Sequence, residues 1–351
     1  LKRVKIMINI RKEQKIAIPQ EYLEYLKPDY VFIPIKENKN YPKTLVKKDD
    51  LIENIKVPIT GNILATAVNK DKRYLIIKNN HLDEANKDET NISKNSDKKK
   101  EKVEFLKNFK DKETIYINTF DKDALAFNNY YLLLKEKDKI IFTLNYLIEN
   151  TSLKEIYLVI PATYEEIIHE YKKIKDKKIK LIILNDYFAL GYNDILSKYL
   201  RVNSSNIISI ETLFDTYYVI KSKNSNYVYL TINGNIKTAV IKATKYTILK
   251  ELLEYLKIDI NDIEICLNNS LINKNIGIQY VINEETKLII INKKDKVLES
   301  KRKDTCSNCG LCYTLCPWHI NPLKTNKCYD CGLCNYICPS KRFLRVGDSD
   351  A

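Results

Sequence analysis

Cys306-Ser307-Asn308-Cys309-Gly310-Leu311-Cys312-Tyr313-Thr314-Leu315-Cys316-Pro317 is followed, eleven residues on, by Cys328-Tyr329-Asp330-Cys331-Gly332-Leu333-Cys334-Asn335-Tyr336-Ile337-Cys338-Pro339. The spacing C-x2-C-x2-C-x3-C-P occurs twice, and eight of the nine cysteines fall within 33 residues. Structural zinc uses four ligands in two pairs, usually without the third cysteine and the trailing proline, so two complete runs speak against it. A disulfide scaffold would belong to a small secreted chain, and the first ten residues show no leader pattern. Gly310 and Gly332 follow the second cysteine of each run, where the chain must turn tightly and free its amides. Leu311, Leu315, Leu333 and Ile337 are placed to exclude water.

Each run matches that of bacterial ferredoxins, in which the fourth cysteine ligates the other cluster. The match implies two 4Fe–4S clusters. Cys306, Cys309, Cys312 and Cys338 would hold the first, and Cys328, Cys331, Cys334 and Cys316 the second. Such a module moves single electrons. His319, beside Trp318, reads as a surface or packing residue, with tuning of a cluster by hydrogen bonding as the alternative. Cys266, in an apolar run, reads as a core residue, and His81 and His169 have no evident ligand partners.

Upstream, the 351 residues give room for several domains; 44% are apolar and 30% charged, as in a folded globule. Residues 28–78 read as β-rich: Val31–Ile35 is a strand, Val57 to Ile63 reads strand, turn, strand, and Tyr74–Ile77 closes the set. His81 to Lys112 is mostly Lys, Asp, Asn, Glu and Ser and reads as a linker. Residues 113–215 alternate strand and helix. Strands are expected at Thr114–Asn118, Ile156–Ile160, Leu181–Leu184 and Ile207–Ile210, and Thr163 with Glu166 has the spacing of a capping box. Residues 226–293 read as ββαβ, with Asn233-Gly234 as a two-residue hairpin turn and an apolar helical face of Ile248, Leu249, Leu252, Leu253 and Leu256. A helix packed across a small mixed sheet after a hairpin is a β-grasp arrangement.

The net charge of +14 fits an anionic partner, and Lys301, Arg302, Lys303, Lys324, Lys327, Lys341 and Arg342 surround the cysteine runs, although Lys, Asn, Ile and Tyr are heavily used throughout. No DNA or RNA motif is present, and no nucleic-acid partner is expected. No apolar stretch approaches the ~18–20 residues that span a bilayer. Seven glycines are present, no two closer than Gly332 and Gly347. Backbone approaches a phosphate closely only where side chains are absent, so no glycine-rich phosphate cradle can be written on this chain.

The order of these parts resembles the C subunit of the Rnf/Rsx-type ion-translocating electron-transport complex. Val46-x-x-Asp49-Asp50-x-Ile52, with Pro58-Ile59-Thr60-Gly61, is similar to its lipoyl-like barrel segment, Asp49 standing where a glycine is usual. Asn118-Thr119-Phe120-Asp121-Lys122-Asp123 is similar to the acidic stretch after its first α/β strand, with Lys122 and Ala124 where cysteine and proline are usual. Tyr229 to Gly234 and Tyr246-Thr247 are similar to its ligand-binding β-grasp segment.

The resemblance implies a multidomain α+β chain. Residues 1–80 would form a barrel-sandwich-like β domain, 81–112 a linker and 113–215 an α/β domain. A β-grasp domain (216–293), a second linker (294–305) and a two-cluster ferredoxin-type module (306–344) would follow. It further implies a peripheral place on the cytoplasmic side of the cell membrane, with membrane-embedded electron-transport subunits as partners and an acidic ferredoxin or flavoprotein as donor or acceptor. Relatives exchange electrons with NAD through a flavin site. The family's glycine-rich loop would fall in the glycine-free Lys/Asn/Asp insert, so FMN and NADH are not expected here. The alternative is a stand-alone iron–sulfur oxidoreductase subunit or ferredoxin-like carrier. Neither reading supplies a catalytic acid, base or nucleophile.

Overall fold

The computed structural model describes residues 7–36, 41, 44–69, 72–82, 106, 109, 111–221, 223, 225–272, 274–294, 306–324, 328–329 and 331–340. Most of the expected linkers at 81–112 and 294–305 lie outside these residues, as do Lys301, Arg302, Lys303, Lys327, Lys341 and Arg342. The architecture is mixed α+β with several sheets.

A short helix, α1 (Ile10–Glu13), precedes strand β1 (Tyr22–Tyr25). The first sheet is antiparallel, in the order β2 (Tyr30–Ile35), β7 (Lys72–Asn79), β6 (Gly61–Asn69), β3 (Leu45–Val46), with β4 (Leu51–Ile52) and β5 (Ile55–Lys56) as a separate hairpin. Strand β2 alternates half-buried and buried residues, sending Val31, Ile33 and Ile35 into a core with Leu75 and Ile77. Val57–Thr60 is buried but forms no strand, and Gly61 is no turn residue: it opens β6, where an added Cβ would lie 2.0 Å from the carbonyl oxygen of Lys78. Asp49 takes the left-handed conformation (φ +72°) that glycine favours, and its carboxylate accepts from Asn226 Nδ2 at 3.2 Å.

The second sheet is fully parallel: β10 (Ile179–Leu184), β9 (Glu155–Pro161), β8 (Thr114–Asn118), β11 (Ile207–Ser209). Helices α2 (Asn128–Lys135), α3 (Lys137–Asn150), α4 (Glu165–Tyr171) and α6 (Ile210–Ile220) contribute to the core on one face, and α5 (Asn193–Leu200) to the core on the other. Apolar runs buried on both faces are what the covered middle of a parallel sheet requires, which is why β8 and β9 were readable in the sequence, while β10 and β11 at the edges are more exposed. The capping box was not. Helix α4 starts at Glu165, and Thr163 Oγ1 instead donates to Asp186 at 3.1 Å.

The third sheet is mixed: β1, β13 (Ala239–Thr244), β12 (Tyr227–Gly234), β15 (Leu288–Lys293), β14 (Ile263–Leu267), with α7 (Leu249–Tyr255) burying Leu249, Leu252 and Leu253 in its core. Strand β1 runs parallel to β13, Tyr22 opposite Val240. Asn233-Gly234 is not a two-residue turn. The β12–β13 ladder ends at Ile232 opposite Ala239, while Asn233 and Gly234 continue as strand beside Ile290 and Ile291 of β15. At Gly234 (φ +126°) an added Cβ would lie 2.1 Å from the Ile291 carbonyl oxygen, so the glycine serves strand approach. Helices α8 (Leu311–Thr314) and α9 (Leu333–Ile337) each carry the third cysteine of a run.

Candidate metal centre

The two cysteine runs fold alike. Gly310 (φ +72°) and Gly332 (φ +75°) both take the left-handed conformation and start α8 and α9, so Cys312 and Cys334 sit in the first turn of matching helices. The amide of Leu311 lies at Cys309 and lowers its thiol pKa, with help from Ser307. The amide of Leu333 occupies the equivalent place at Cys331. Further backbone donors point at sulfur: Asn308 N–H to Cys306 Sγ (3.4 Å) and Ile320 N–H to Cys316 Sγ (3.3 Å).

Burial pushes the Cys331 thiol up to about 12, and the negative charges of Cys334, Cys316 and Cys328 push the same way. These four residues, three from the second run and one from the first, make up the expected second set. Burial lifts Cys334 to about 11, and it also feels Cys328 and, across the two halves, Cys312. Cys312 is raised by burial and by Cys306 and Cys309. Cys338 follows α9, its amide bonded to the carbonyl of Cys334 at 3.1 Å. Among the described residues no three His, Cys, Asp or Glu side chains converge as ligands of one metal ion. A cubane differs from such an ion in taking its thiolates at separate corners.

The second run is held against the rest of the chain. Cys331 and Leu333 share a cluster of buried residues with Ile10 and Ala124. Asn335 Nδ2 donates to Leu271 O at 2.7 Å, and Tyr336 OH donates to Glu13 Oε2 at 2.8 Å and accepts from Gln14 Nε2 at 3.0 Å. The first run faces outward: Cys309 is exposed, Leu311 is 39% exposed and Tyr313 46%. His319 is exposed with φ +57°. Trp318 is instead clamped, stacked on Tyr329 (4.5 Å, 12°) and edge-on to Tyr192 (5.0 Å, 83°).

A second polar constellation lies beyond the carboxyl end of β8. Open parallel sheets bind ligands in the crevice where strand order reverses, here between β8 and β11. At the end of β8, Asn118 donates to Leu190 O and Asn193 Oδ1, both at 3.0 Å. Beside these lie Asp121 and Asp123, and Arg11 from α1 is buried against them. Its guanidinium donates to Asp186 Oδ2 (2.8 Å), Ala124 O (2.8 Å), Asp123 O (3.3 Å) and Ala126 O, and lies over the Phe127 ring at 4.2 Å. Asp121 stands 3.9 Å away and accepts from Tyr164 OH at 2.9 Å. Sequence reasoning missed Arg11, because one arginine in a mixed N-terminal stretch carries no local sign of its partners. The remaining candidates are as expected from their surroundings: Cys266 is buried with Sγ 3.2 Å from Asn275 Oδ1, while His81 meets Asp29 and His169 meets Glu170 at the surface.

No protein family matches the chain, and no curated protein matches it by sequence. Among the solved structures that resemble part of it are an NAD+-reducing [NiFe]-hydrogenase in the H2-reduced state (7% identity, TM-score 0.42) and in the air-oxidized state (10% identity, TM-score 0.42). In both cases the match covers 54% of this chain and 42% of the other, so the chain spans less than half the length of these structures. Among the described residues no helix is long and apolar enough to cross a membrane.

Proposed function

We propose that this chain is an iron–sulfur electron-transfer subunit of a membrane-associated, Rnf/Rsx-like complex. Cys306, Cys309, Cys312 and Cys338 would hold one 4Fe–4S cluster, and Cys328, Cys331, Cys334 and Cys316 the other. When bound, the clusters supply one-electron chemistry. The observation that carries the reading is the spacing C-x2-C-x2-C-x3-C-P, complete twice within residues 306–339, on two segments that turn alike at Gly310 and Gly332.

The residues present fit such a group. Backbone N–H groups already point at Cys306 and Cys316 sulfurs, which suits thiolates bonded to iron. Leu333, Ile10 and Ala124 exclude water around Cys331. Burial of Cys331 and Cys334 disfavours their thiolates, so metal binding must release protons there. An acidic ferredoxin or flavoprotein would dock on the basic module, and membrane-embedded subunits would exchange electrons with it.

Anaerobic purification with iron, sulfide and flavin counts tests this. About eight irons per chain, an EPR spectrum of two reduced cubanes and no flavin are expected. Cys316→Ser and Cys331→Ser should weaken the same EPR signal, and Cys306→Ser the other. Zinc in place of iron, or Cys316→Ser acting on the cluster of Cys306, overturns the assignment. Fractionation separates the two settings: recovery in washed membranes supports the complex, and recovery wholly in the soluble fraction supports the stand-alone carrier.

A further inference from the structure

Trp318 is the chain's single tryptophan, two residues after Cys316. Its ring is fixed by Tyr329, which follows Cys328, and by Tyr192. Cys316 and Cys328 belong to one proposed ligand set, so the indole is clamped between two segments that would grip the same cluster. Its Nε1–H is shut off from solvent and meets no acceptor among the described residues. A buried donor left unpaired keeps the full cost of losing water, so native structures rarely hold one without reason. A cluster gripped by the two segments that hold the ring would bring sulfur acceptors beside it.

We propose that Trp318 Nε1 donates a hydrogen bond to a sulfur of the cluster held by Cys316, Cys328, Cys331 and Cys334, and so sets its reduction potential above that of an otherwise equal cluster. This rests on the two-cluster reading. The reduced cluster carries one more negative charge on its core, so the hydrogen bond strengthens on reduction and favours the reduced form. The role falls to Trp318 and not to its exposed neighbour His319.

Because there is one tryptophan, feeding 15N-indole tryptophan labels one nitrogen beside the clusters. Pulsed EPR of the reduced, iron-loaded protein is expected to show a 15N hyperfine coupling on one of the two cluster signals. Trp318→Phe keeps an aromatic ring and removes the donor. At intact iron content, it should lower the reduced-to-oxidised ratio of that same cluster about tenfold at a fixed solution potential, equal to about 59 mV for one electron, and leave the other cluster unchanged. Two cluster signals with no 15N coupling overturn the proposal, as does an unchanged potential in the variant. Should Trp318→Phe lose iron, the labelled native protein decides alone. A native protein without clusters defeats the two-cluster reading itself, a result distinct from clusters without coupling.

Discussion

Gly310 and Gly332 occupy the same place in the two runs, yet an added methyl group meets different surroundings at each. Both have positive φ, so alanine costs about 1 kcal/mol at either position from backbone strain. At Gly310 nothing lies within 4 Å of the new Cβ, whereas at Gly332 it would come 2.4 Å from Leu271 Cβ. Gly310→Ala is therefore expected to lower the melting temperature slightly, and Gly332→Ala to cost a further 1–3 kcal/mol through overpacking. Equal losses in thermal denaturation of the two variants would contradict this. Asp121 gives a second residue-scale expectation. Burial pushes its carboxyl pKa up to about 7, because Arg11 spends its hydrogen bonds on Asp186 and on carbonyls. Between the ordinary carboxylate range and pH 7 the folded chain thus holds a proton that the unfolded chain has lost, and stability falls as pH rises through that window. Asp121→Asn removes the dependence, so its melting temperature relative to the native protein should be higher at pH 8 than at pH 5. A difference independent of pH would refute the shift. At this scale the matching turns at Gly310 and Gly332 were legible, because the cysteine spacing that calls for them is local in the chain. Asp121 and Arg11 were not, since 110 positions separate them and burial alone makes them partners.

Helix α1 is only four residues long, too short to stand without tertiary support. Arg11 supplies that support from one side of the helix, while Glu13 and the following Gln14 hold Tyr336 on α9. The crevice at the end of β8 and the second cysteine run are thereby tied through one turn of chain. Arg11→Met would leave Asp186 buried without its cation, at a cost of about 3–5 kcal/mol. It should also loosen α9, so that a chelator draws iron from the second site faster than in the native protein. Faster unfolding with unchanged iron release from the folded protein would show that α1 does not steady the site. Elements whose cause is local were readable: β8 and β9 are apolar enough for burial to dictate them. Elements fixed by distant contacts were not. Strand β1 is four residues with no hydrophobic alternation, and exists because it pairs with β13. Asn233-Gly234 has the chemistry of a tight turn, but pairing with β15 outcompetes it.

At the scale of the whole molecule, the two halves of the cysteine module are alike in local geometry and unlike in surroundings. Loop 268–272 joins them to the rest: Ser270 donates from its amide and hydroxyl to Asp123 (2.8 and 2.7 Å), and Leu271 accepts from Asn335 of the second run. The third sheet, the end of the parallel sheet and α9 therefore meet at one place, and it is the second run that is enclosed there. Leu333 and Asn335 are buried, whereas their counterparts Leu311 and Tyr313 face solvent. Solvent access is one of the terms that govern cluster behaviour, and an exposed cubane is the more open to oxidants and to a docking redox partner. Brief exposure of the iron-loaded protein to air is accordingly expected to bleach one EPR signal before the other. The signal lost first should be the one weakened by Cys309→Ser, and the survivor the one weakened by Cys331→Ser. If both decay together, or the Cys331 signal goes first, the enclosure around α9 does not protect its cluster. The outward face of Cys309, Leu311 and Tyr313 would then lose its claim to be where electrons enter or leave.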